Sequence, residues 1–296
     1  MREYYLNKVA VITGAASGLG LGYTERLLEY GAAAVWMSDY NEQALTEVAK
    51  PLCEKYPGKV HPLVVNAMVR EDVEGLIRHA ALESGQIDLL FNNAGKPMTM
   101  PTETIPVEDF EALVQLNLMG AVYGTLAALP YMLEQKSGHV INTASVGGLI
   151  PPPFQTAYAA TKAAVITMTR CMSVEYEGRG LYFSQVSPMN VATNIFKVQP
   201  EKIMRAQGLP EKEIQRRLAL LAPPAGAMPL EEALDYILEH IASRDVDIVL
   251  GQDGRDLYRL FCTDRPAFTQ IVRELGGKRR AFYEAKARGE DVPFPG

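Results

Sequence analysis

The sequence predicts an α/β chain built on one doubly wound parallel sheet of seven strands, with helices on both faces. Three observations carry that expectation. Short apolar runs recur along the 296 residues, continuous rather than alternating, as in strands buried on both faces. Amphipathic stretches of helical period separate them, which implies right-handed crossovers and a crevice at the carboxyl ends of the strands. The first run also leads directly into a glycine-rich turn, Thr13-Gly14-Ala15-Ala16-Ser17-Gly18-Leu19-Gly20.

The elements follow in order. Val9-Ala10-Val11-Ile12 is the first strand, and similar runs at 34–37, 60–65, 89–91, 140–142, 182–186 and 248–250 supply the other six. Between them lie helices expected at 18–30, 41–56, 70–84, 106–135, 156–177 and 229–243. A proline-punctuated insertion at 194–226 follows the sixth strand. Its helical pieces are expected after Pro200 and Pro210, with Ile214, Leu218 and Leu221 forming one apolar stripe over the crevice mouth. Phe268, Ile271, Val272 and Leu275 mark a further helix, expected to end at Gly276-Gly277 before a charged tail. A single large domain over 1–260 with a helical extension over 261–296 is the resulting organisation.

Bulk composition narrows the function classes. At 48% hydrophobic and 22% charged residues, the chain can bury a large core. A net charge of -6 argues against a nucleic-acid duplex or an anionic membrane as the main partner. Lys278, Arg279 and Arg280 form the one tight basic cluster, read as a solvated helix face. Cys53, Cys171 and Cys262 are odd in number and dispersed, so neither a disulfide framework nor a zinc spacing is visible, and a reducing cytoplasmic location is expected. The N-terminus enters a core strand within eight residues, leaving no space for a signal peptide. The apolar stretch 119–133 is short for a bilayer span. His61, His79, His139 and His240 share no ligand spacing, so no metal is expected.

The chemistry is carried by the turn and by a later trio. Gly14, Gly18 and Gly20 lie where a strand ends and a helix begins, so backbone N–H groups of Ser17, Gly18, Leu19 and Gly20 can face a pyrophosphate. Nineteen residues on, Asp39 ends the second strand, where a carboxylate can accept hydrogen bonds from an adenosine ribose. It also repels a 2′-phosphate, and neither Ala16 nor Tyr40 compensates, so NAD is expected over NADP. Tyr158 and Lys162 are four residues apart; on a helix this is about 400° and about 6 Å, which puts phenol and ammonium on one face. Positive charge nearby is expected to lower the phenol's pKa. Ser145 precedes that tyrosine by thirteen residues.

Together these motifs resemble the short-chain dehydrogenase/reductase family, and the likeness runs from residue 6 to about 254. Asn92-Asn93-Ala94-Gly95 after the fourth strand, and Asn117 in the next helix, complete the set. The resemblance implies a Rossmann-like fold and a catalytic tetrad of Asn117, Ser145, Tyr158 and Lys162. Tyr158 would be the general acid/base, Ser145 would hold the substrate oxygen, and Lys162 would bind the nicotinamide ribose. Asn117 would hold, through its backbone, a water linked to that lysine. Cofactor contacts are expected from the glycine turn, Asp39, Tyr40, Asn66, Ala67, Asn93, Ala94, Gly95, Tyr158, Lys162, Pro188, Val191 and Thr193. Asn66 stands where the family usually has an acid, and Pro188-Met189 where it usually has Pro-Gly.

Substrate contacts are expected from Ser145, Val146, Phe154, Met189, Ile195 and Phe196, with Leu149, Ile150, Met204 and Leu218 as further walls. That lining suits a bulky apolar alcohol or ketone, hydroxysteroid-like rather than sugar-like. An NADP-preferring carbonyl or 3-oxoacyl reductase and a catalytically silent NAD-binding scaffold are the alternatives. The resemblance also implies a homodimer or homotetramer formed through the helices carrying Asn117 and Tyr158.

Overall fold

The computed structural model describes residues 1–193, 201, 204–205, 208–219, 226–290, 292 and 294. Seven parallel strands run in the order β3-β2-β1-β4-β5-β6-β7. They are β1 (Val9–Thr13), β2 (Ala34–Asp39), β3 (Val60–Val64), β4 (Leu89–Asn92), β5 (Gly138–Thr143), β6 (Leu181–Ser187) and β7 (Asp247–Val249). Each lies within about two residues of its expected position. The order reverses between β1 and β4, and the adjacent carboxyl ends open the crevice expected of a doubly wound sheet.

Alternation along β1 shows why the strand runs are apolar throughout. Ala10 and Ile12 join one core with Tyr23, Leu27, Leu234 and Ile237, while Val9 and Val11 join another with Leu76, Ile77, Ala128 and Met132. Helices α1 (Arg2–Tyr5), α2 (Gly18–Glu29) and α3 (Glu42–Lys55) precede α4 (Arg70–Ser84). Both sheet faces are thus dry, and each fully buried aliphatic side chain contributes about 1.5–3 kcal/mol.

The helix expected at 106–135 is three pieces. An α5 segment (Val107–Val114) and α6 (Gly120–Gln135) are joined without a break by a π-helical turn, Gln115–Met119, with Asn117 at its centre. By length and composition this run could cross a membrane, yet Ala121, Ala128, Leu129 and Met132 on α6 are buried, the last three against the sheet. Next come α7 (Val146–Leu149), α8 (Thr156–Glu175), α9 (Glu211–Ala219) and α10 (Leu230–Ala242). Within the insertion, Ile214 and Leu218 of α9 bury against Met204 and Leu209 in a small cluster of their own. Met204 and Leu218, expected as substrate walls, thus pack against residues of the insertion itself. Leu221 and most of the piece after Pro200 lie outside the described residues.

After β7 comes α11 (Gln252–Thr263), which runs across residue 261, the expected start of the C-terminal extension. One expectation about that extension is corrected. The following helix, α12 (Arg265–Ala287), does not stop at Gly276-Gly277 but continues ten residues further. Two helical glycines cost about 1 kcal/mol each relative to alanine; the contacts made beyond them by Arg279, Tyr283 and Ala285 offset that cost. Arg279 is consequently no solvated residue, at 7% exposure, whereas Lys278 and Arg280 are exposed.

Candidate active site

The crevice is assembled by hydrogen bonds that lace together the ends of three strands. Asn93, just past β4, donates from Nδ2 to the carbonyls of Thr13 (3.1 Å) and Gly14 (3.2 Å). Thr13 Oγ1 accepts from the Asn93 and Ala94 amides at 3.0 and 3.1 Å. Thr143 Oγ1, at the end of β5, donates to Asn93 Oδ1 at 3.2 Å. The turn after β1 is thereby fixed against the β4 and β5 loops.

The turn itself fits a pyrophosphate. Gly14 and Gly18 have φ of 67° and 55°, a region that favours glycine. A Cβ on Gly20 would lie 2.1 Å from the Gly14 carbonyl oxygen, and one on Gly14 would lie 2.9 Å from Ala94 Cα. Ser17 is the N-cap of α2 but makes no side-chain capping bond, which leaves the first-turn amides directed at the crevice. At the neighbouring strand end, Asp39 accepts from the Ala16 amide at 3.2 Å through Oδ2 and from the Asn41 amide at 3.0 Å through Oδ1. Each oxygen keeps acceptor capacity for a ribose hydroxyl. Tyr40 beside it is 77% exposed, a ring face open to an adenosine.

Just past β3, Asn66 is used to build a loop. Its Oδ1 accepts from the Met68 amide at 3.0 Å and its own amide donates to Asp72, so the side chain shapes the loop after β3. Ala67 is buried behind it. After β6, the Pro188 carbonyl accepts from the Val146 amide at 3.1 Å, and Val191 bridges to Met228 in parallel register. The segment from Pro188 to Val191 is thus tied down without glycine at position 189. Thr193 comes near the turn, 3.5 Å from where a Gly18 Cβ would stand.

The four expected catalytic residues converge. Ser145 stands beside the Tyr158 hydroxyl and favours its ionised form, and Lys162 Nζ lies 5.9 Å from the tyrosine ring centroid. Ser145 Oγ also accepts the Gly147 amide at 3.0 Å, which fixes its rotamer at the start of α7. Lys162 donates to the Thr143 carbonyl at 2.7 Å. Gly95 shows how close the rest lie: a Cβ there would be 3.0 Å from Asn117 Oδ1 and 3.4 Å from Lys162 Nζ. Asn117 is 3% exposed and reaches Thr161 Oγ1 at 3.3 Å.

The electrostatics differ from the expectation of an acidic phenol. Burial pushes the Tyr158 hydroxyl above the ordinary tyrosine value, and the opposing effect comes from the bond to Ser145 rather than from Lys162. Burial likewise pushes the Lys162 ammonium down, to about 8. Loss of water outweighs attraction because both groups are buried, Tyr158 against the apolar cluster of Met98, Leu113 and Ala157.

On the substrate side, Val146 and Leu149 are buried and Ile150 is partly so. Met189 packs toward α11, 3.4 Å from where a Gly254 Cβ would stand, beside Val146. Phe154, expected to be a wall, has its ring stacked on Tyr283 at 5.4 Å. Ile195 and Phe196 lie outside the described residues. Sequence reasoning missed Thr13, Thr143, Lys96 and Thr161, which hold the tetrad and the turn; the threonines use hydroxyls that belong to no spacing motif, and Lys96 acts through its backbone, which leaves no signature in residue type. No group of three or more His, Cys, Asp and Glu side chains suited to a metal occurs among the described residues.

Comparison with known proteins gives a consistent picture. Residues 8–203 match the sequence pattern of the short chain dehydrogenase family. The chain is 33% identical over 245 residues to a 3-oxoacyl-[acyl-carrier-protein] reductase of Thermotoga maritima, spanning 83% of this chain and 94% of that one. It is 37% identical over 190 residues to 3beta-hydroxysteroid dehydrogenase 2 of Eggerthella lenta, spanning 64% of this chain and 72% of the relative. Among solved structures, a short chain dehydrogenase/reductase from Burkholderia phymatum in complex with NAD superposes with a TM-score of 0.72 at 27% identity, covering 99% of this chain and 98% of the other.

Proposed function

The chain belongs to the short-chain dehydrogenase/reductase family, and from that premise we propose that it is an NAD-dependent oxidoreductase interconverting a secondary alcohol and a ketone. The observation that carries this reading is the convergence of Ser145, Tyr158, Lys162 and Asn117 in the crevice that also holds the glycine turn and Asp39.

NAD, when bound, supplies the hydride acceptor. The glycine turn holds its pyrophosphate, Asp39 its adenosine ribose and Lys162 its nicotinamide ribose. Tyr158 takes the hydroxyl proton in oxidation and returns it in reduction. Ser145 positions the substrate oxygen, stabilises charge developing there and favours the phenolate by its hydrogen bond. Asn117 holds the loop after Gly95 against the site.

A bulky apolar alcohol such as a hydroxysteroid is the proposed substrate class, supported by Val146, Leu149, Ile150 and Met189 and by the likeness to the Eggerthella enzyme. The Thermotoga likeness supports a second reading, reduction of a 3-oxoacyl group. Exposed apolar residues on the paired helices, Val107, Leu126 and Val174, favour a homodimer or homotetramer. Three free cysteines favour a reducing cytoplasm.

A panel of hydroxysteroids, simpler alcohols and 3-oxoacyl thioesters, assayed by nicotinamide absorbance with both cofactors, tests reaction, cofactor and substrate class together. Tyr158→Phe should abolish turnover and spare NADH binding. Unchanged turnover in that variant removes Tyr158 from the chemistry.

A further inference from the structure

Two loops flank the opening of the cleft, and α12 holds both. The first follows Gly95, and there the Tyr283 hydroxyl donates to the Thr99 carbonyl at 2.6 Å. The second leads into α8, and there Arg279 Nη1 donates to the Pro153 carbonyl at 2.7 Å. The loops are also tied to each other, by Met100 N to the Phe154 carbonyl at 2.8 Å and by Gln155 Nε2 to Thr99 Oγ1 at 3.1 Å. Phe154 itself has a φ of 66°, which a bulky residue rarely adopts, and its ring lies on Tyr283 with an interplanar angle of 18°.

Arg279 is the informative member. It is 7% exposed, its Nε has no hydrogen-bond partner, and no carboxylate pairs with it among the described residues. A buried cation held by one carbonyl and by the Phe294 ring face, 5.5 Å from its centroid, with no counter-charge, is a poor way to stabilise a fold, and a neutral side chain of similar shape would do better. What the guanidinium does supply is a fixed direction for the Pro153 carbonyl. Placement of these loops reaches the chemistry over a short path, because Met100 and Tyr158 pack against one cluster, that of Met98, Leu113 and Ala157.

We propose that Arg279 and Tyr283 are positioning residues that set the substrate opening by clamping the 96–101 and 151–155 loops from the C-terminal helix. The inference rests on the reading of the cleft as an alcohol–ketone site. The clamp leaves the nucleotide end alone, since its contacts are with Thr99 and Pro153 and none is with the glycine turn or Asp39.

The test uses the full-length protein and the best alcohol from the panel. Tyr283→Phe should raise KM about fivefold and Arg279→Ala about tenfold or more, with kcat nearly unchanged and NADH affinity unaltered. Arg279→Ala should also narrow the preference for bulky over small alcohols, and Arg279→Lys, which can still reach the Pro153 carbonyl, should restore part of it. If Arg279→Ala does not fold, Tyr283→Phe and Arg279→Lys decide. Hydrogen exchange at the Met100 amide should speed up in Tyr283→Phe while Leu21, in the first turn of α2, stays protected. Wild-type KM and selectivity in folded variants, unchanged exchange at Met100, or NADH affinity falling in step with KM would overturn the clamp. A wild-type enzyme inert toward every alcohol and ketone would instead overturn the functional reading, and the exchange measurement would still judge the clamp.

Discussion

The carboxamide of Asn117 grips both backbone groups of Lys96: Nδ2 donates to its carbonyl at 3.0 Å, and Oδ1 accepts from its amide at 2.9 Å. The π-helical turn that carries Asn117 brings the side chain to this position, and π segments of this kind recur at functional sites. Asn117→Asp keeps the acceptor but loses the donor, leaving a part-buried carbonyl without its partner at a cost of about 1–3 kcal/mol. The expected outcome is a fall in kcat of about tenfold to a hundredfold, with NADH affinity within a few-fold of wild type. A variant with wild-type kcat would show that the grip on Lys96 is irrelevant to turnover.

Asp39 sets the cofactor prediction. Its carboxylate would meet a 2′-phosphate at close range, where two unit charges about 4 Å apart repel by on the order of 1–4 kcal/mol between water and protein-surface screening. Asp39→Asn keeps the acceptor for Ala16 and removes the charge. NADPH affinity should improve at least about tenfold relative to NADH, measured by fluorescence titration. An unchanged ratio would mean that this carboxylate does not discriminate between the two cofactors.

The pH dependence of turnover follows from the burial of Tyr158 beside Ser145. Burial holds the phenol above its ordinary value, so the base form needed for alcohol oxidation is gained as pH rises, and the acid form needed for ketone reduction is lost. Oxidation should therefore increase from about pH 7 toward about pH 10 while reduction declines. Because the Ser145 bond favours the phenolate, Ser145→Ala should move the rising limb to higher pH as well as lower kcat by about a hundredfold or more. A limb that stays in place would assign it to another group.

Much of this was legible in the sequence because the features are dictated locally. Val9 to Ile12 is apolar at every position because both faces of β1 are covered, and a Cβ on Gly20 would collide with the Gly14 carbonyl. Other features depend on partners distant in sequence. Nothing near Gly276-Gly277 shows that Tyr283 will find Thr99, 184 residues away, so the helix was expected to end at the glycines. Arg279 looked solvated for the same reason, since a charged side chain between two others carries no sign of the Pro153 carbonyl. The π turn was hidden because one extra residue per turn barely disturbs an apolar helical period. The raised phenol escaped because spacing reports the distance to Lys162 and not the loss of water around the pair.

His139, on β5, makes a prediction about acid stability. It is 1% exposed and bridges Tyr4 and Ser184, 2.8 Å from each, and burial pushes its pKa down to about 3. In the unfolded chain the imidazole takes a proton near 6.5, whereas the folded protein keeps it neutral until about pH 3. Within that window the unfolded state binds more protons, so stability falls as pH is lowered, by up to about 1.4 kcal/mol per pH unit from this group. His139→Gln keeps a donor and an acceptor at the site but cannot titrate. The variant should lose some stability at neutral pH, through imperfect replacement of the two bonds, and its urea midpoint should decline less steeply than wild type between about pH 6 and about pH 4. Because His139 stands at the opposite end of its strand from Thr143 and the crevice, turnover at neutral pH should be unaffected. Parallel declines in the two proteins would place the acid sensitivity in the carboxylates instead.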